Sequence, residues 1–188
     1  MFFDTYTDEL KQTLDQISRG DIETLEAWLE EARLNGKHVF VLGNGGSAAA
    51  ASHWVCDFGK GINVGSSKRL KIMAPSDHSS IFTAYGNDNA YDQTMVEQII
   101  NFLEPGDLVI SLSVSGSSAN LVEAQKYARE AGAKTVCIVG DYNGKLIGLS
   151  DLAIVLPSKN YGVVEDIHLI LEHAISQDMK RGIMREQA

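Results

Sequence analysis

The sequence predicts an α/β fold, a three-layer doubly wound sandwich on a five-stranded parallel sheet, preceded by N-terminal helices. Two observations predict it. Short apolar, β-branched runs recur after Gly36: HVFVLG (38–43), LKIMA (70–74), DLVISL (107–112), TVCIVG (135–140) and LAIVL (152–156). Stretches of helical periodicity separate them, and strands joined through helices pair in parallel by right-handed crossovers.

Each element follows in order. Residues 4–35 carry Leu10, Leu14, Ile17, Ile22, Leu25, Trp28 and Leu29 at helical spacing, which reads as one or two helices. Gly20 followed by Asp21 predicts a break and a new N-cap there. This segment precedes the first strand and need not belong to the sheet layers, so it is expected to make an oligomer contact. Helices are expected at 47–60, at 77–103 with a break near GNDN, at 118–131 and at 163–182. The link 141–150 has room for a turn of helix. One domain spans 1–188, as a helical segment (1–35) and an α/β sandwich (36–188). In such sheets ligands bind at the carboxyl ends of strands, where strand order reverses.

Composition narrows the function. The 188 residues carry a formal net charge of -9, the wrong sign for a phosphate-backbone binder, so no nucleic acid partner is expected. No apolar run is long enough for a membrane span, and the opening MFFDTYTDELKQTL lacks the pattern of a secretory signal. Cys56 and Cys137, both expected on buried faces, make no disulfide framework, which suits a cytoplasmic setting.

Two loops look built for an anion. Asn44, Gly45, Gly46 and Ser47 follow the first strand, where glycine lets backbone approach a ligand and the next helix offers unpaired N–H groups. With Ala48 the loop matches G-x-G-x-x-A, but no Asp or Glu occurs from Phe58 through Ser76 to hold a ribose, so no nucleotide cofactor is expected. The loop SLSVSGSSAN (111–120) follows the third strand and gathers serine hydroxyls just before a helix. Together the loops suggest a small phosphorylated molecule, such as a sugar phosphate.

VLGNGGSAAAASH, GND (86–88), SVSGSSANLVEA and VEDIHLILEH (164–173) resemble the sugar isomerase (SIS) domain family, and more narrowly its phosphoheptose isomerase branch. The likeness covers nearly the whole chain. It implies a homotetramer with sites at subunit interfaces. It also implies conversion of sedoheptulose 7-phosphate to D-glycero-D-manno-heptose 7-phosphate, an aldose–ketose isomerisation by enediol proton transfer. Asn44, Ser47, Asp88, Ser113, Ser115 and Ser118 match the family's substrate contacts. Val114 stands where many members have a hydroxyl residue.

Independently of the likeness, His53 and Asp57 lie at i and i+4 and point the same way, a spacing that can hold a divalent metal. The second group, VEDIHLILEH, offers Glu165, His168, Glu172 and His173. The resemblance implies a metal, zinc in some members, at the positions of His53, Asp57, Glu165 and His173, with the carboxylate and the last histidine as the proton-transfer pair. Asp57 replaces the family's Glu and Glu165 its Gln, so Glu165 is expected to share the metal or base role with Asp57. Glu165 and His173 are eight residues apart, about 12 Å of helix, and a site between subunits would ease that reach. The resemblance picks out neither His168 nor Glu172. Two alternatives remain: a non-catalytic SIS module binding a sugar phosphate or a protein partner, as in the branch that binds the replication initiator, and an isomerase of another ketose phosphate.

Overall fold

The structure is a computed structural model that describes residues 1–65 and 68–186, with the backbone alone at Glu186. Its sheet holds β1 (His38–Leu42), β2 (Lys71–Met73), β3 (Leu108–Ser113), β4 (Lys134–Gly140) and β5 (Leu152–Leu156) in the order β2-β1-β3-β4-β5, all parallel. The order reverses between β1 and β3, so the loops after these two strands flank the switch point.

The three central strands, β1, β3 and β4, are buried on both faces. Val39 and Val41 join Leu108, Ile110, Val136 and Ile138 in one core, while Phe40, Leu42, Val109, Cys137 and Val139 form the other. Residues two apart share a face, and a parallel sheet covered on both sides needs apolar residues on each. The first core is closed by α2 (Arg19–Asn35), α3 (Gly46–Cys56) and α8 (Tyr161–Glu186). The second is closed by α5 (Gln93–Ile99), α6 (Ala119–Glu130) and α7 (Lys145–Leu149). α4 (Ser79–Asp88) buries none of its residues.

Three boundaries differ from expectation, and so does the burial of one cysteine. The break between α1 (Phe2–Gln16) and α2 falls at Ile17–Ser18: the Ser18 hydroxyl accepts from Asp21 N–H at 3.2 Å, satisfying a donor that the helix itself leaves unpaired. Gly20 and Asp21 lie in the first turn. The helix expected at 47–60 stops at Cys56 and continues as a π-helical turn, Asp57–Gly61. The 77–103 stretch breaks at GNDN as expected, but its second helix, α5, ends at Ile99, short of 103. Cys56 is exposed, not buried.

α1 is tied to its own chain at one edge. Tyr6 donates to Asp166 at 2.6 Å, and Glu9 accepts from Ser158 at 2.6 Å and Asn160 at 3.2 Å. Met1, Phe2 and Phe3 stay exposed.

Candidate functional site

At the loop after β1, Gly45 caps α3 with φ 55° and ψ -124°, a conformation only glycine takes without strain. The loop after β3 turns at Gly116, φ 63°. Ser113 Oγ accepts from Gly116 N–H at 3.0 Å and Ser115 Oγ from Ser117 N–H at 3.3 Å, so these serines shape the loop as well as lining it. A reciprocal amide pair joins the loops: Asn44 Nδ2 donates to Asn120 Oδ1 and Asn120 Nδ2 donates back to Asn44 Oδ1, both at 2.9 Å. Tyr91 OH adds a bond to Asn44 Oδ1 at 2.8 Å.

Between the loops lies a cavity of about 110 Å³, lined by Asn44, Ser47, Ser113, Ser115, Ser118, Tyr161 and Glu165 among others. At ~30 Å³ per water it has the scale of a phosphate group, not of a whole sugar. Asp88 does not line it. It is exposed at the end of α4 and accepts from Asn87 at 2.8 Å. A roomier cavity of about 450 Å³ lies between α6 and α7, but its Lys126 is already paired with Glu123 at 2.8 Å and it holds no acid–base cluster.

Glu165 sits at the loop end of α8, and its carboxyl group lies over Gly46: a side-chain carbon at Gly46 would fall inside it. The amino end of α3 therefore already faces a carboxylate, which the helix dipole favours. Both loops read as anion seats in the sequence. In the fold, only the serine side is left open to one.

Further along the same two helices lies the second cluster. Trp54, fully buried and stacked on Phe58, donates its indole N–H to the His168 carbonyl at 3.1 Å. This bond sets α3 against α8. It brings His53, next to Trp54, against Glu172 and His173, one turn beyond His168. His168 is buried, and its Nε2 lies 3.1 Å from the Ile138 carbonyl. The carbonyl can only accept, so Nε2 holds the proton. Burial pushes His168 down to about 4, so it stays a neutral core residue.

Ligand atoms of His53, Asp57, Glu172 and His173 lie within 4.8 Å of one another. The His53 and His173 Nε2 atoms are 3.2 Å apart, His173 Nε2 is 3.3 Å from Glu172 Oε2, and His53 Nε2 is 3.9 Å from both Glu172 Oε2 and Asp57 Oδ2. Ligands on a tetrahedral zinc at ~2.05 Å would stand about 3.3 Å apart, close to these separations. Glu172 is wholly buried, and neither of its oxygens has a hydrogen-bond partner among the described residues. Burial, then the neighbouring Asp57 carboxylate, push Glu172 up to about 8. Two imidazole nitrogens and two carboxylates converging on one point fit a divalent cation.

His53, Asp57 and His173 thus come together as expected from the sequence, but Glu165 does not join them. It lies seven residues before Glu172 on α8, about 10 Å along the helix axis. The sequence did carry a signal for Glu172, a carboxylate immediately before His173 on a helix whose Ile167, Leu171 and Ile175 are core. Asn120 was likewise legible only as the end of the serine loop.

Comparison with known proteins agrees with this architecture. Residues 2–140 match the SIS domain. The chain is 34% identical to the phosphoheptose isomerase of Aliarcobacter butzleri, over 89% of this chain and 84% of that one. It is 32% identical to that of Roseiflexus sp., over 95% and 93%. The solved structures of a phosphoheptose isomerase from Francisella tularensis (TM-score 0.85, 21% identity, 96% of this chain and 95% of that one) and of GmhA from Neisseria gonorrhoeae (0.85, 24%, 96% and 95%) share the fold. The chain belongs to the SIS domain family, in its phosphoheptose isomerase branch.

Proposed function

We propose that the chain is an aldose–ketose isomerase of phosphorylated sugars that converts sedoheptulose 7-phosphate to D-glycero-D-manno-heptose 7-phosphate. The relatives named for this activity support the reading. The observation that carries it is the spacing of the two halves of the site: a phosphate-sized cavity lined by Ser113, Ser115 and Ser118, and an acid–base cluster about two helical turns away along α3 and α8.

In this reading Asn44 and Ser47 line the cavity from the loop after β1, Gly45 and Gly46 shape that loop, and the three serines hold the phosphate. Anchoring that end places the carbonyl carbons at the cluster and removes most of the orientational freedom of the reaction. Asp57 is the base. Its side chain is 34% exposed and borders an open cavity of about 220 Å³. It takes the proton beside the carbonyl, and an enediol forms. His173, 45% exposed, returns a proton to the neighbouring carbon from Nδ1, its Nε2 being the nitrogen turned to the cluster. Glu165 lies at the phosphate end, too far along α8 to act on the same carbon. A divalent metal, zinc by donor chemistry, would be held by His53, Asp57 and His173 with a further carboxylate, and when bound it would polarise the sugar's carbonyl and hydroxyl oxygens. Asp57 has two oxygens, so it can lend one to a cation and keep the other for the proton. No nucleotide cofactor is required.

The enzyme acts as a cytoplasmic homotetramer with its sites at subunit interfaces, the whole chain forming one SIS unit. The bare face of α4, the exposed Met1, Phe2 and Phe3, and the half-exposed cluster histidines support assembly. Unjoined Cys56 and Cys137, and the lack of a described helix long and apolar enough to cross a membrane, are compatible with the location. The test is NMR of sedoheptulose 7-phosphate in D2O with metal-stripped and zinc-loaded protein. Deuterium should enter beside the carbonyl as an aldose signal grows, and both should vanish with His173→Ala. Saturable sugar binding without exchange would sink the assignment.

A further inference from the structure

We propose that two glutamates on α8 divide the work of the site: Glu172 is the fourth metal ligand, given by the same chain as His53, Asp57 and His173, and Glu165 belongs to the substrate cavity. The inference rests on the proposed metal-assisted isomerase and says which residue does what within it.

Burial is the first argument. Glu172 is fully buried, and neither of its sequestered oxygens accepts a hydrogen bond of ordinary geometry among the described residues. A bare carboxylate in such a place is costly unless something charged meets it. The atoms nearest its Oε2 include the Nε2 of His173 and of His53, at 3.3 and 3.9 Å. Asp57 and Ser176 face it from the remaining sides. A neutral imidazole can offer it one N–H hydrogen bond but no charge, whereas a cation shared with both imidazoles neutralises it. Burial also bars Glu172 from the substrate, so a ligand is the role its position allows.

Position is the second argument. Glu165 lines the phosphate-sized cavity beside Ser113, Ser115 and Ser118, and its carboxyl covers Gly46. There it accepts hydrogen bonds from sugar hydroxyls. It also repels a phosphate that drifts from the serines toward the first loop, and so fixes which way round the substrate lies.

The test compares the full-length protein with Glu172→Gln, Glu172→Leu and Glu165→Gln. Zinc affinity is measured by titration into metal-stripped protein, cobalt coordination by visible absorption, and inorganic phosphate affinity by calorimetry. Both Glu172 variants should lose roughly tenfold or more in zinc affinity, change the cobalt spectrum, and in chelator melt no lower than the parent. Glu165→Gln should keep zinc affinity within about twofold and bind phosphate roughly threefold or more tighter, because a like charge has left the cavity. Metal loss in Glu165→Gln, or parental zinc affinity in either Glu172 variant, overturns the division. A lower melting point of both Glu172 variants in chelator shows a structural role and overturns it too. If the parent binds no metal, the metal clause of the proposed function falls with the inference, while sugar turnover in D2O still decides the isomerase itself.

Discussion

His53 and His173 meet nitrogen to nitrogen across the seam of α3 and α8, Nε2 to Nε2 at 3.2 Å with their rings 87° apart. Only one proton fits between two such atoms, so the pair is completed by a shared proton or a shared cation. Zinc should raise the melting temperature by about 5–10 °C when free metal exceeds Kd a hundredfold. A chelator should reverse the shift, and His53→Ala should abolish it. Scanning fluorimetry over a zinc series checks this.

Asp57→Asn should lower the rate of deuterium incorporation by roughly 10²–10⁴-fold and change sugar binding far less. Asp57→Glu keeps the carboxylate and should lose much less rate. Equal losses in the two variants would remove Asp57 as the base.

Ser115→Ala and Ser118→Ala should each raise KM by roughly tenfold or more, the scale of one hydrogen bond to a charged group, with kcat nearly unchanged. Asn120→Ala works differently. It strips Asn44 of its amide partner at the back of the cavity, so it should cost about 1–3 kcal/mol of stability as well as affinity, read by urea unfolding.

His168 carries the acid sensitivity. Burial holds it near 4, below its ordinary 6.5, with the Ile138 carbonyl opposing that drop only in part. The unfolded chain therefore takes up this proton first. His168 contributes stability above about pH 6.5 and loses it as pH falls toward 4, by up to about 3 kcal/mol. His168→Leu should lower the slope of stability against pH across that window, where the raised Glu172 carboxyl works in the opposite sense. An unchanged slope would assign the loss elsewhere.

The thiols should separate cleanly. Cys137 is buried, and burial pushes its thiol up to about 11 against a smaller opposing hydrogen bond with Ser150. Cys56 is exposed. A thiol reagent at pH 8 should modify one cysteine in the native protein and two in denaturant, and Cys56→Ser should remove the native reaction.

Much of this was legible in the sequence because it is local. Strand runs, glycine turns and the i, i+4 pair His53–Asp57 each show within a few residues. What was not legible depends on local hydrogen bonding and on contacts far apart in the chain, neither of which residue spacing displays. Ser18 outranks Gly20–Asp21 as the helix start because its hydroxyl reaches the Asp21 N–H. Cys56 emerges at the surface where α3 gives way to a π turn. Glu172 joins the cluster through the bond from Trp54 to the His168 carbonyl, 114 residues away, which no spacing within VEDIHLILEH displays. Within one chain Glu165 stands apart from the cluster for the complementary reason: α8 runs unbroken from Tyr161, so residues seven apart on the same copy lie about 10 Å apart along its axis.

The unbroken helices have one more consequence. Ser47 and His53 are six residues apart on α3, about 9 Å at the α-helical rise, and α8 runs alongside. On the proposed assignment the phosphate seat and the reacting end are fixed marks on a ruler, which would measure carbon count in helical residues rather than by walls that close around the sugar. A ketose phosphate shorter by two carbons can be anchored by its phosphate yet fall short of Asp57 and His173. It would act as an inhibitor rather than a substrate.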